Sequence, residues 1–320
     1  MAETSFYTKP PEVLYHYCSV PTFYSIIKNK SIWLSDISKS NDSEELHWYL
    51  KTFKEIIDSV WAKYLKERRK NGNRDDANII KKLRDEIMTD AECERAKSWA
   101  FCLSGKRDDL GQWRGYADNG SGIAIGFFSV PFTAAKQAWQ DIKKPIYSSI
   151  TNPRFGRVVY GKNELENSFR DTPEFLKKNL LEWEPPYAAF RIRDIIPELY
   201  KIAPFFKNEG FREENEWRII YSVDMDSLLS AAQPVDEPPL DPDFPGFYAT
   251  EYAYSERNAS LVSHVVFTNR HFEASIAEII IGPKCKLTET EVKLFLASSG
   301  FFLDKDSCDI KISKSASSYR

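Results

Sequence analysis

The residues whose side chains are best suited to binding or catalysis fall into three groups, and the first two combine aromatic rings with polar side chains. His16 lies among tyrosines in a short apolar stretch and is followed by Ser19. A strand histidine is able to donate to ribose hydroxyls, and it is equally able to be a hydrogen-bonded core residue. Trp113, Arg114 and Tyr116 place two rings beside a cation. That pairing suits a stacked planar ring next to a phosphate or carboxylate, or else the closing of a core end.

The third group is a carboxylate at the start of an apolar run. Glu216 follows an acidic stretch, and Arg218 comes two residues later. A carboxylate in this position is suited to stabilising a cationic sugar transition state, as carboxylates do in glycoside chemistry. The alternative is that Glu216 and Arg218 form a surface ion pair that contributes little stability.

Other carboxylates suggest a metal-dependent chemistry. Asp42, Glu45, Asp108 and Asp109 would suit a magnesium-dependent nuclease or phosphotransferase. A lone Asp-Asp pair is more often a helix cap, so capping is the alternative role of Asp108 and Asp109. The five cysteines include no CxxC pair and the four histidines form no HExxH pair. We therefore expect neither a disulfide framework nor a catalytic metal.

The overall charge restricts the classes of partner. A net charge of -3 argues against a protein that is basic over its whole surface. A nucleic-acid partner would have to use a local patch, and the basic segment 63–84 is the candidate, as a helical hairpin. Its alternative is a solvated helix face. No apolar run is long enough for a membrane span, and the polar first residues predict no signal peptide, so we expect a cytoplasmic protein.

The elements that position these groups are predicted from short apolar runs bounded by turn residues. Capping residues predict helices after Ser19, Asn41 and Thr288. A short helix is also predicted from Phe132. Strands are predicted at 13–18, 31–35, 99–103, 122–127, 157–160, 265–267, 279–283 and 309–313. A further strand is predicted to follow the acidic turn at 211–216 and to end at residue 221.

Strands and helices do not alternate regularly along the chain, which counts against a doubly wound parallel sheet. We expect one α+β domain over residues 1–320, with mixed or antiparallel sheets. Helical insertions are expected at about 42–96 and 173–206. The segment 233–247 is rich in proline and acidic residues and is predicted to be a long surface loop or lid.

Several segments resemble a bacterial family known as domain of unknown function 2971. They occur in the family's order over nearly the whole chain, and one departure is Cys18, where the family often has threonine. The family brings no settled activity. The segments are Leu14–Ser19, Ile32–Ser35, Asn41–Glu45, Trp99–Ser104, Gln112–Tyr116, Gly122–Phe127, Glu213–Arg218 and Ile279–Gly282.

The layout is also similar to that of His-type ADP-ribosyltransferases, which begin with a strand histidine and end with a strand-borne glutamate. This resemblance implies a split β core that binds NAD in a cleft between two small sheets. The implied roles are ribose contacts for His16 and Ser19, nicotinamide stacking for Tyr116 or Trp113, a pyrophosphate contact for Arg114, further cofactor binding for Arg218, and stabilisation of the oxocarbenium ion for Glu216.

An NAD-dependent ADP-ribosyltransferase of this kind would be a bacterial toxin or phage-defence effector that modifies nucleic acid or protein. The first alternative is a non-enzymatic sensor that uses the same aromatic and basic loop to bind a nucleotide or a partner. The second is the metal-dependent nuclease. The enzyme hypothesis requires that His16, Tyr116 and Glu216 converge on one pocket.

Overall fold

A large mixed sheet with helices packed on both faces dominates the computed structural model, so the predicted α+β class is confirmed. Most of the expected insertions, the basic segment 63–84 and most of the loop 233–247 lie outside the described residues, as do Asp42 and Glu45. The structure describes residues 9–39, 47–52, 54–55, 58, 62, 96–133, 153–168, 202–224, 246–257, 259–301 and 310–318.

The strands agree with the predicted ones at most positions. Those described are β1 (Val13–Cys18), β2 (Ser31–Asp36), β3 (Ala96–Ser104), β4 (Ile123–Phe128), β5 (Arg154–Arg157), β6 (Val159–Tyr160), β7 (Phe206–Lys207), β8 (Glu216–Asp224), β9 (Tyr248–Arg257), β10 (Ser260–Thr268), β11 (Ile276–Ile281) and β12 (Lys311–Lys314). Three differences stand out. The segment 157–160 is divided between β5 and β6, and β7 and β9 are strands that the sequence did not predict.

The helices are short. They are α1 (Val20–Asn29), α2 (Leu110–Tyr116), α3 (Val130–Thr133), α4 (Lys162–Ser168) and α5 (Glu289–Ser298). The described residues between 47 and 62 are also helical. Ser19 caps α1, and Thr288 and Glu291 form a capping box at α5, as the sequence predicts. Within the described segments, no helix combines the length and apolar character needed to cross a membrane.

The main sheet forks at β3. Its strand order is β12-β11-β4-β1-β3-β2-β10-β9, and the described pairs are antiparallel except β11 with β12. β8 pairs along one whole edge of β3, from Ala96 to Ser104. β1 and β2 must therefore share the other edge, where β1 pairs at Ser104 and β2 at Ala100 and Trp99. Beyond the fork, β8 also pairs with β5.

The two faces of the sheet are easily distinguished by what packs on them. On the first, which we call the core face, Leu14, Phe127 and Trp217 pack with apolar residues of α1 and α5. On the second, which we call the α2 face, Tyr15 and Tyr17 pack with residues of α2. Because side chains alternate along a strand, a residue's register decides which face it joins.

A tight turn joins α2 to the start of β4. Gly122 accepts from Gly282 N, and a Cβ at Gly122 would lie 2.1 Å from the Cys18 carbonyl oxygen. No side chain fits there without moving the backbone. Gly115 in α2 is the contrasting case, because a Cβ there meets nothing within 4 Å.

We predict that Gly122→Ala destabilises the protein and that Gly115→Ala stabilises it. The first forces overpacking that costs about 1–3 kcal/mol. The second removes glycine from an exposed helical position, a gain of about 0.5–1 kcal/mol. Urea unfolding of both variants beside the wild type measures the two effects. Two shifts of the same sign would contradict this account of the turn.

Candidate functional site

The position of Glu216 is fixed by the turn that precedes β8. The 3-10 turn Glu209–Glu214 ends at Asn215, whose φ of 45° is left-handed. Asparagine tolerates that conformation better than most residues. The Asn215 carbonyl accepts from Gly105 N, and Glu216 N donates to the Tyr160 hydroxyl, both at 2.9 Å. The turn thus sets where β8 begins and which face Glu216 joins.

Glu216 lies in a row of alternating charges, which we call the charge chain: Arg218, Glu216, Lys207 and Glu214. Arg218 Nε donates to Glu216 Oε1 at 2.7 Å, and Lys207 Nζ lies 2.9 Å from Glu216 Oε2. Lys207 Nζ also lies 2.8 Å from Glu214 Oε2. Two cations and two carboxylates therefore neutralise one another, which is what burial of charge requires.

Most of the acceptor capacity of Glu216 is used within this network. Its oxygens accept from Arg218 Nε, Arg218 NH2 and Lys207 Nζ. A carboxylate offers about four lone-pair positions, and the Glu216 side chain is only 7% exposed, so a ligand has little access to it.

The electrostatic environment keeps Glu216 ionised. Burial acts to raise the pKa of this carboxyl, but the charges of Arg218 and Lys207 outweigh it and the pKa is lowered. Glu216 is thus a carboxylate at neutral pH, and its charge stabilises the fold at any pH above its ordinary value of 4.5.

The charge chain reaches the surface between two aromatic rings. The Tyr116 hydroxyl donates to Glu214 Oε1, and the Phe211 ring centre lies 5.1 Å from Lys207 Nζ. Tyr116 is 45% exposed and Phe211 is 37% exposed. The Lys207–Glu214 pair is therefore flanked by rings that are open to solvent.

Cys102 lies beside the buried end of the charge chain. It stands opposite Arg218 in the β3–β8 register, so the two side chains share the α2 face. Burial by surrounding atoms is the main cause that raises the pKa of its thiol. Its raised pKa keeps the thiol protonated.

His16 lies on the core face, away from Glu216. It stands opposite Ile125, which belongs to the core cluster, and its ring stacks on Phe101 with centroids 4.1 Å apart. Glu216 pairs with Ser104 and Ser104 with Tyr15, so Glu216 joins the α2 face. The structure brings Tyr116 and Glu216 to one face and leaves His16 on the other. The expected convergence of the three is corrected by strand alternation.

One hydrogen bond sets the tautomer of His16, and burial sets its protonation state. Nδ1 lies 2.9 Å from the Cys102 carbonyl oxygen, which can only accept, so Nδ1 carries the proton. Burial lowers the pKa of His16 to about 4, and the Cys102 carbonyl only partly offsets this. The imidazole is neutral at physiological pH.

The other residues predicted to bind the cofactor differ in their burial and in their contacts. Ser19 Oγ accepts from Thr22 N at 3.2 Å as the cap of α1. Trp113 is fully buried, packs edge-on against Tyr17 and donates from Nε1 to Asp108. This burial corrects its expected role as a stacking platform and supports the alternative that it closes the core. Arg114 is exposed on α2.

The acidic pair before α2 has a structural role in the described structure. Asp109 Oδ1 accepts from Gln112 N and caps α2, as the capping alternative predicts. Asp108 accepts from Ala316 N at 2.8 Å and from the hydroxyls of Ser315 and Ser317. Residues 315–317 thus form a clasp on Asp108. Over the ranges that the structure describes, no group of side chains has the make-up of a metal site.

Sequence reasoning missed several members of the site. Lys207 lies in the two-residue strand β7, and no pattern around it links it to Glu216. Cys102 and Phe211 lie in segments that the sequence singles out, but only register and turn geometry bring them to the α2 face. Glu214 stands two residues before Glu216 in the acidic stretch, and this spacing is the signal that it shares the site.

The fold and site define an α+β protein with a forked sheet and a neutralised charge chain at the start of one strand. Residues 112–219 match the family model described as Protein of unknown function (DUF2971). This stretch is about a third of the chain and contains most of α2, all of β4 and Glu216. Over it, the chain is similar to that family, as the segments Gln112–Tyr116, Gly122–Phe127 and Glu213–Arg218 predict.

The remaining resemblances stay predictions. The segments before residue 112 and after 219 fall outside the match, and the match does not concern ADP-ribosyltransferases. No curated protein and no solved structure matches the chain.

We predict that Glu216→Gln lowers the free energy of unfolding by about 3–5 kcal/mol, because it leaves Arg218 and Lys207 buried without full compensation. Glu213→Gln is the matched control, since the Glu213 side chain is 93% exposed. Chemical denaturation at neutral pH measures both. Equal effects of the two variants would contradict the role given to the charge chain.

We predict that acidification from pH 7 to 4.5 destabilises the wild type partly through His16. The pKa of His16 is about 4 in the folded protein against an ordinary 6.5, so the unfolded chain binds the proton first. The contribution of His16 to the free energy of unfolding is fully present above pH 6.5 and decreases as the pH falls towards 4. His16→Gln removes this contribution, and urea unfolding at several pH values shows a smaller loss. His264 has a pKa lowered by burial and adds a residual slope of the same sign.

Proposed function

We propose that the protein is a nucleotide-binding module whose site lies on the α2 face. The observation that carries this proposal is the pair of exposed rings, Tyr116 and Phe211, on either side of Lys207 and Glu214. Aromatic rings bind bases by stacking, and a stacked base contributes about 1–3 kcal/mol. The proposed ligand is a nucleotide, and NAD is the dinucleotide that the sequence suggests.

The phosphates of the ligand would bind to the cations near α2. Lys106 Nζ lies 2.9 Å from Glu213 Oε2, and Glu213 is almost fully exposed. An exposed ion pair of this kind contributes little, so a phosphate replaces Glu213 at small cost. Arg114 is a second exposed cation, on α2 itself.

Binding without turnover is better supported than catalysis. Glu216 already holds three donors and is almost fully buried, and His16 lies on the other face. An oxocarbenium ion needs a carboxylate that can approach it, and Glu216 approaches only if Lys207 or Arg218 first moves away. The non-enzymatic sensor is therefore the function proposed first.

ADP-ribosyl transfer from NAD is the second candidate, and it would have to proceed without His16, which lies on the other face. It is favoured by the continuous contact from Tyr116 through Glu214 and Lys207 to the strand-borne Glu216. A ligand that drew Lys207 towards its phosphates would release one acceptor position of Glu216. In this form the protein would be a toxin or phage-defence effector that acts on nucleic acid or protein.

The binding proposal predicts a measurable loss in one tyrosine variant. Titration calorimetry with NAD and ADP-ribose is expected to show binding by the wild type and about tenfold weaker binding by Tyr116→Ala, because the stacking ring is lost. Tyr254→Ala is the control, since Tyr254 is 65% exposed on β9 and not in the site. Tyr116→Phe keeps the ring and is expected to retain most of the affinity.

An assay of nicotinamide release from NAD distinguishes binding from transfer. Wild type is incubated with NAD labelled in the nicotinamide, alone and with nucleic-acid or protein acceptors. We expect the label to stay on NAD. Release by wild type that is lost in Glu216→Gln, under conditions where thermal unfolding shows this variant to be folded, would establish the transferase in place of the sensor. Failure of every nucleotide to bind would reject both.

A further inference from the structure

We infer that Glu214, not Glu216, is the carboxylate that meets the ligand, and that it recognises the two adjacent hydroxyls of a ribose. This inference rests on the proposed nucleotide binding and assigns its specificity. The module would then select ribonucleotides over nucleotides that lack these hydroxyls.

The acceptor capacity of Glu214 differs from that of Glu216. Among the described residues, Oε1 accepts from the Tyr116 hydroxyl and Oε2 accepts from Lys207 Nζ. One lone-pair position on each oxygen is left uncommitted. The side chain of Glu214 is also 16% exposed, against 7% for Glu216. A ligand hydroxyl is able to reach Glu214 without displacing an existing donor.

The backbone of Glu214 is held rigidly, so its side chain is preorganised. Its carbonyl accepts from Ser104 Oγ at 2.7 Å and from Gln112 Nε2 at 3.4 Å. These donors come from β3 and α2, and Lys207 and Tyr116 fix the carboxylate itself. A group positioned from several elements loses little freedom on binding, as expected of a recognition residue.

The charge around Glu214 favours neutral donors. Lys207 already neutralises the carboxylate, so a metal ion or a second cation would be placed against a lysine at hydrogen-bonding distance from the same oxygen. An anion would be repelled by Glu214 and Glu216. Hydroxyls suffer neither penalty, and a ribose presents two of them on one side, which matches one free position on each oxygen.

A carboxylate that accepts from ribose hydroxyls is an established means of recognising nucleotides in other folds. Here the base would stack at Tyr116, whose hydroxyl is bonded to Glu214. The ring and the carboxylate therefore lie as near to each other as a base and its own ribose. That proximity is why we assign the hydroxyls of the same nucleotide to Glu214.

The test compares ADP with 2′,3′-dideoxy-ADP by titration calorimetry on wild type, Glu214→Gln and the exposed control Glu213→Gln. Because hydrogen bonds to a charged acceptor are stronger than those to a neutral one, we expect wild type to bind ADP at least about tenfold more tightly than the dideoxy compound. Glu213→Gln is expected to keep that ratio, and Glu214→Gln to reduce it to about two or less. Thermal unfolding of each variant checks that the fold is retained.

The outcomes separate the two proposals. Equal affinity of wild type for both compounds overturns the ribose inference and leaves nucleotide binding standing. A ratio that persists in Glu214→Gln overturns the assignment to this residue. Absence of ADP binding by the wild type overturns the ribose inference, and if NAD and ADP-ribose do not bind either, the proposed function is overturned with it.

Discussion

A carboxylate removed from water has to be matched by positive charge, and the site depends on this requirement at Glu216. The cost of burying one ion is several kcal/mol, and it is recovered only when partners of good geometry surround it. Arg218 comes from the same strand, but Lys207 comes from β7, and Lys207 in turn holds Glu214. One buried charge therefore ties β7, β8 and the turn between them into a single arrangement.

The fork at β3 has an equally direct effect on which residues share a site. β3 pairs with three strands, and these pairs set the faces of residues that are far apart in sequence. A shift of one position in β1 would move His16 to the α2 face and Tyr15 to the core. Tyr15 instead donates to Glu278 on the α2 face, which fixes the register.

Much of the fold could be predicted from local chemistry. The strand at Val13–Cys18 and the capping box at Thr288 depend on neighbouring residues, and both are confirmed. β9 could not be predicted, because this edge strand has exposed Thr250, Glu251 and Tyr254 and no apolar run. Strands of this kind are specified by their partner, here β10, more than by their own pattern.

The site could be predicted only in part. Tyr116 and Glu216 could be singled out by residue type, and they do share a face. The side of the sheet that His16 occupies depends on pairing between strands about ninety residues apart, which a local pattern does not contain. The burial of Trp113 likewise depends on Tyr17 and on Asp108, whose conformation is fixed in part by residues 315–317.

The clasp of residues 315–317 on Asp108 has a consequence for the order of events during synthesis. A ribosome adds residues one at a time, and more than two hundred separate Asp108 from the groups that hold it. Until residues 315–317 emerge, the loop before α2 lacks a set of its hydrogen bonds. The growing chain thus completes this loop only after a segment more than two hundred residues further on has been made.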